Sequence, residues 1–147
     1  MSLRKIALGA ALAFAMLPAN AHAADSTISI QLLDITSKPP SKDMSMVLDL
    51  DHVAAGSVTF HVKNLSKMYI HEMVVVPVTD LKAVLPYDEA TKRVKEDELK
   101  ALGEVSELKP GKSGDLTVTL APGTYRLVCN VPDHFHHGMW ADLTVTP

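Results

Sequence analysis

Apolar and polar residues alternate with a period of two in several short stretches after residue 25. Residues 57–64 carry the clearest case. Val58, Phe60 and Val62 fall on one side while Thr59, His61 and Lys63 fall on the other, which predicts a half-buried strand of a sheet with one wet face. Gly56 opens this segment. Shorter alternations predict further strands over 26–34, 44–50, 115–120, 124–129 and 140–146. Residues 69–78 are Val-rich and apolar almost throughout, the pattern of a strand covered on both faces for part of its length. Turn signals separate these runs: Pro39-Pro40 within residues 37–43, Lys109-Pro110-Gly111-Lys112, and Ala121-Pro122-Gly123. Six to eight short strands punctuated in this way predict an all-β fold, a β-sandwich with Greek-key connections.

Residues 81–108 break the pattern. Asp88 is placed to cap a short helix running toward Leu102, with Lys92–Glu96 and Glu96–Lys100 as i,i+4 pairs and Gly103 as its stop. The apolar stripe of this helical insertion, over about residues 88–102, is thin: Ala90, Val94, Leu99 and Leu102.

The first 23 residues read as a leader rather than as fold. Arg4 and Lys5 precede an apolar run over residues 6–17, and Ala21-His22-Ala23 supplies a small-residue cleavage site, the layout of a secretory signal peptide. The run is too short to span a bilayer, and no later segment approaches the length required. The expectation is an exported, periplasmic protein whose mature chain, residues 24–147, forms one domain without a membrane span. Taking Arg4 and Lys5 from the 14 basic residues leaves 12 against 17 acidic ones. That acidic balance disfavours nucleic acid as a partner.

Chemistry concentrates in residues 129–139, Cys-Asn-Val-Pro-Asp-His-Phe-His-His-Gly-Met. They hold the single cysteine and three of the seven histidines. A lone cysteine is most often a small buried hydrophobe. A cysteine nucleophile would need an orienting partner and a local signature that are not evident here. Structural zinc takes four Cys or His ligands. Two His, one Cys and a weak, long axial Met select copper for electron transfer, and the Cys-x4-His-x4-Met spacing offers all but one His. The missing imidazole should lie upstream, and His71 is the best candidate, although a His among apolar residues is also a common core residue.

The residues Gly56-x-Val58-x-Phe60-x-Val62-x-Asn64 leading to His71, with Gly123-x-Tyr125-x3-Cys129-x4-His134-x4-Met139, make the chain similar to the cupredoxins, the small type 1 or blue copper proteins. The resemblance implies a Greek-key sandwich with copper near one end and residues 81–108 as a variable insertion. It implies His71, Cys129 and His134 as equatorial ligands, Met139 as the axial one, and Asn64 as the asparagine tying the first-histidine segment to the cysteine loop.

The implied function is single-electron transport rather than enzymic catalysis. The implied partner is a transient redox protein that would dock on an apolar patch of Val131, Pro132, Phe135 and Met139 around the His134 edge. His136 and His137 depart from the simple pattern. They are either solvated loop residues or further copper contacts at a second, weak site, which would favour a copper-tolerance protein with a copper-handling partner. Met44, Met46 and the nearby Asp51-His52 are weaker candidates for the same use. A monomer is expected.

Overall fold

The computed structural model describes residues 25–34 and 43–147. The leader read over residues 1–23 and most of the break at 37–43 lie outside the described residues.

Two sheets face each other. The first has strand order β2-β1-β4-β9, with β1 Ser26–Asp34, β2 Met44–Leu48, β4 Gly56–Asn64 and β9 Ser113–Leu120. The second runs β3-β11-β10-β5-β8, with β3 His52–Ala54, β5 His71–Val78, β8 Gly103–Leu108, β10 Gly123–Val128 and β11 Trp140–Thr146. Most pairings are antiparallel, but β1 lies parallel to β4 and β3 parallel to β11.

The period-two pattern is realised in β4. Val58, Phe60 and Val62 are buried in the inter-sheet core. Their polar neighbours make cross-strand pairs on the outer face with β9: the Thr59 and Thr117 hydroxyls at 2.9 Å and His61 with Asp115 at 2.6 Å.

The Val-rich β5 is buried from His71 to Val76. Met73 and Val75 face the main core. Val74 and Val76 belong to a second apolar cluster with Val128, Leu85 and Val94 on the outer face of the second sheet. The 81–108 insertion covers that face.

The insertion is not the helix expected over 88–102. It contains a small antiparallel hairpin, β6 Tyr87–Asp88 and β7 Arg93–Val94, and a single helical turn, α1 Glu96–Leu99. The Asp88 carboxylate does accept backbone amides, those of Ala90 and Thr91, but it closes the hairpin turn rather than starting a helix. Lys92 sits at φ 57° in that turn, and Lys100 at φ 51° ends α1. The ion pairs are Lys92–Glu89 and Lys95–Glu98 rather than the i,i+4 pairs anticipated. Gly103 begins strand β8 instead of stopping a helix.

Candidate metal centre

Three strand ends meet at one edge of the second sheet. His71 is the first residue of β5, Cys129 follows the last residue of β10, and Trp140 starts β11. The antiparallel register of β10 on β5, with Val128 opposite Val74, carries Cys129 toward the start of β5. The loop 129–139 closes on itself: the Cys129 amide donates to the Met139 carbonyl at 2.9 Å, and the Met139 amide to the His134 carbonyl at 3.0 Å. That closure turns His134 back over the sheet edge.

His71, Cys129 and His134 form the one cluster of candidate metal donors found among the described residues, with all ligand atoms within 4.8 Å of one another. The two Nδ1 atoms are 3.1 Å apart, and Cys129 Sγ lies 3.8 Å from Nδ1 of His71 and 3.5 Å from Nδ1 of His134. A trigonal first-row metal with bonds of about 2.0–2.1 Å to nitrogen and 2.3 Å to sulfur spaces its donors about 3.5–3.8 Å apart. The observed triangle fits that requirement with little movement. Its composition, two imidazoles and a thiolate, is the one that suits copper.

The ring of His71 is held by a residue that sequence reasoning did not single out. Its Nε2 is 2.9 Å from Asp34 Oδ1 at the end of β1, and Ser66 Oγ donates to the other carboxylate oxygen of Asp34. An imidazole whose Nε2–H is taken by a carboxylate presents Nδ1 as a lone pair, which fixes the ligating tautomer. The backbone amide of Glu72 points at Cys129 Sγ at 3.4 Å.

The remaining predicted residues divide. Met139 is fully buried in the core and follows the loop that carries His134. Asn64 is buried, but its side chain bonds the carbonyls of Tyr69 and Leu108 and the amide of Ser66, so it braces the 65–70 loop rather than the cysteine loop. His136 stacks on Tyr87 with ring centroids 4.0 Å apart. His137 spans two carboxylates, Nδ1 to Asp43 at 3.1 Å and Nε2 to Asp133 at 3.3 Å. Neither belongs to the donor cluster. Met44 and Met46 are core residues, and His52 pairs with Asp51.

The anticipated docking patch is also redrawn. Met139 is inside, and Phe135 packs near Tyr87 and Trp140. His134 is 7% exposed, and it shares a surface cleft with Met68 and Tyr69, which are 73% and 44% exposed.

Comparison with known proteins agrees with this geometry. A family model described as the sulfocyanin (SoxE) domain matches residues 104–147, the segment that contains Cys129, His134 and Met139. A 48-residue stretch is 48% identical to auracyanin-B of Chloroflexus aurantiacus, covering 32% of this chain and 20% of that protein. A solved auracyanin B superposes with a TM-score of 0.57 at 25% identity, covering 87% of this chain and 93% of the other. Rusticyanin from Thiobacillus ferrooxidans gives 0.58 at 17% identity, over 81% and 75% of the two chains. The fold is that of the cupredoxins.

Burial sets the protonation of the triad. It pushes the Cys129 thiol up to about 12, against opposition from the Glu72 and Val131 amides. His134 is held down to about 4, by burial first and then by the imidazoles of His71 and His137. His71 is also lowered by burial, with Asp34 opposing. An unfolded chain protonates both imidazoles near about 6.5. Below that pH and down to about 4, the unfolded state therefore holds more protons than the folded one, and acid removes stability. For His134 alone the loss approaches about 3 kcal/mol at the bottom of the window. Urea midpoints of the metal-free protein should fall between pH 7 and pH 4.5, and fall less in His134→Asn; equal slopes for the two proteins would overturn the assignment. Asp34→Ala should weaken copper binding by about 10- to 100-fold, the usual effect of losing a carboxylate behind a ligating imidazole. Competition against a chelator measures it, and unchanged affinity would show that the Asp34 contact is incidental.

Proposed function

We propose that the protein is an exported type 1 copper protein that carries single electrons, with His71, Cys129 and His134 as equatorial ligands and Met139 as the axial one. The observation that carries this reading is the convergence of a buried thiol and two buried imidazoles, drawn from positions 58 and 63 apart in the chain, onto one metal-sized triangle. Copper bound there would supply a one-electron couple, Cu(II)/Cu(I).

The protein's own part is to hold the donors still and dry. Cys129, His71 and Met139 have no solvent exposure, so water has little access as a competing ligand. Asp34 keeps His71 in the ligating tautomer, and the Glu72 amide is aimed at the sulfur. Met139, on the strand side of the loop, would approach as a weak axial donor. Donors fixed by a packed sandwich change little between oxidation states, which favours rapid transfer over capture of the metal.

The electron would leave through the small exposed edge of His134, beside Tyr69 in the cleft that Met68 also lines. A transient redox partner would meet an apolar surface there, and such encounters bury little area. The family likeness supports a carrier of this kind rather than an enzyme. The copper-handling alternative rested on His136 and His137, and the contacts of both side chains with Tyr87, Asp43 and Asp133 favour the carrier reading. The leader at residues 1–23 supports export to the periplasm, with residues 24–147 as the mature domain. Among the described residues, no helix is long and apolar enough to cross a membrane.

The decisive experiment is the visible spectrum of the copper-loaded protein. The parent should show an intense thiolate-to-copper charge-transfer band, and Cys129→Ser should lose it, because a hydroxyl cannot replace the soft anionic sulfur. An intensely coloured Cys129→Ser protein would sink the assignment. Met139→Leu should keep the band, since the axial donor contributes little bonding, and the fold should tolerate a swap of similar volume. Its reduction potential should rise, because removing an axial donor destabilises copper(II) more than copper(I). Voltammetry showing equal potentials for the two proteins would exclude Met139 as the axial donor.

A further inference from the structure

The loop that carries Cys129 and His134 has little regular structure of its own. Asp133 and Gly138 both adopt positive φ, 72° and 93°. What lies along it is the β6–β7 insertion, and the two are joined at three points spaced three residues apart.

The first is Asn130, which is 3% exposed. Its Oδ1 accepts the Val94 amide at 2.6 Å, and its Nδ2 donates to the Val94 carbonyl at 2.8 Å and to Glu96 Oε1 at 2.6 Å. The side chain thus satisfies both backbone groups of Val94, as a strand partner would. Arg93 Nη1 donates to the Asn130 carbonyl at 2.6 Å. The second point is the Asp133 amide, which donates to the Lys92 carbonyl at 2.7 Å. The third is the His136 ring stacked on Tyr87. Under all three, Val94 is buried in the cluster with Val74, Val76 and Val128, so the insertion is itself anchored on the sheet that bears His71 and Cys129.

We propose that the 87–96 segment is a splint for the ligand loop, and that Asn130 is its principal positioning residue, holding Cys129 and His134 in ligating geometry before any metal binds. The proposal rests on the copper-site reading for its purpose, but not for its test. In this arrangement His136 is a splint contact, which gives one of the two extra imidazoles a role away from the metal. The splint lies on one flank of the loop. On the other, the Met44 amide donates to the His137 carbonyl at 3.2 Å, so the loop is gripped from both sides.

Amide hydrogen exchange of the metal-free, full-length mature protein tests it directly. The amides of His134, His137 and Met139 are bonded within the loop, to Val131, Asp133 and His134 carbonyls, and report its opening. In Asn130→Ala these amides should exchange on the order of tenfold faster or more, since three side-chain hydrogen bonds are lost. Amides of β1 and β4 in the opposite sheet should keep their parent rates. Tyr87→Ala leaves the Asn130 hydrogen bonds in place and removes the His136 stack and the Phe135 contact, and it should give a smaller acceleration, about twofold to fivefold, at the same amides. If Asn130→Ala fails to fold, Tyr87→Ala decides alone. Loop amides that exchange at parent rates in a folded variant would overturn the splint. A second arm loads the variants with copper: the charge-transfer band should persist, and copper should dissociate into excess chelator several times faster than from the parent. Absence of that band in the parent would sink the copper reading while leaving the exchange result intact, so the two failures are told apart.

Discussion

Burial of a thiol and two imidazoles at one sheet edge is the constraint on which the rest of this structure depends. Each polar group removed from water costs free energy unless it is partnered. Here Asp34 takes the outer nitrogen of His71, the Glu72 amide faces the sulfur, and the two Nδ1 atoms face each other at 3.1 Å. Those partners come from β1, β5 and the 129–139 loop, so the site links both sheets. Cys129 is continuous with the inter-sheet core, in one apolar cluster with Met73, Val75, Leu127 and Met139. A scaffold of this kind can keep an irregular triangle of donors fixed because every element contributing to it is anchored elsewhere by a core strand.

The strands with one wet face were legible in the sequence, because a period of two survives wherever one side meets water. The β4 segment shows this directly, its outward Thr59 and His61 pairing across to β9. Strand β8 was hidden for a physical reason. Its inward residues, Val105 and Leu108, are three apart instead of two, because the pairing with β5 shifts register between His71 and Met73 and Glu107 takes φ 28°. A bulged strand presents no clean alternation to read. The insertion misled in another way. An Asp followed by free amides is the same local signal at a helix start and in an Asx turn. Tertiary packing of Val94 against Val74, Val76 and Val128 decided between them, and β5 being apolar on both faces was the trace of that cover.

At the site, the donors that meet, His71, Cys129 and His134, were legible because Cys and His crowded with Met into one loop are uncommon and carry chemistry in themselves. Their supports were not. Asp34 ends a strand 37 positions before His71 and looks like any acidic residue entering a turn. Asn130 stands next to Cys129 in a loop where asparagine is ordinary. His136 and His137 are the converse case, residues conspicuous by type whose contacts are a stacked ring and a pair of carboxylates. An imidazole is a ligand, a hydrogen-bonding group and a flat aromatic surface, and only position selects among these.

The electrostatics of the triad bear on how a metal would be received. Before binding, every titratable group touching Sγ is biased toward its neutral form: the thiol upward by burial, and both imidazoles downward. Glu72, buried beside the cluster, follows the same logic. Burial and then Glu96 push its carboxyl upward, while Arg93, 4.0 Å from Oε1, pulls the other way. The three donors themselves are therefore biased toward neutrality before any metal binds. Ligation changes this, because the thiol must give up its proton to bind the metal. A divalent ion with one thiolate leaves one net positive charge in a low-dielectric site, and a monovalent ion leaves none. The apolar core around the site would favour the reduced form of a bound copper, and the Asp34 carboxylate behind His71 the oxidised one.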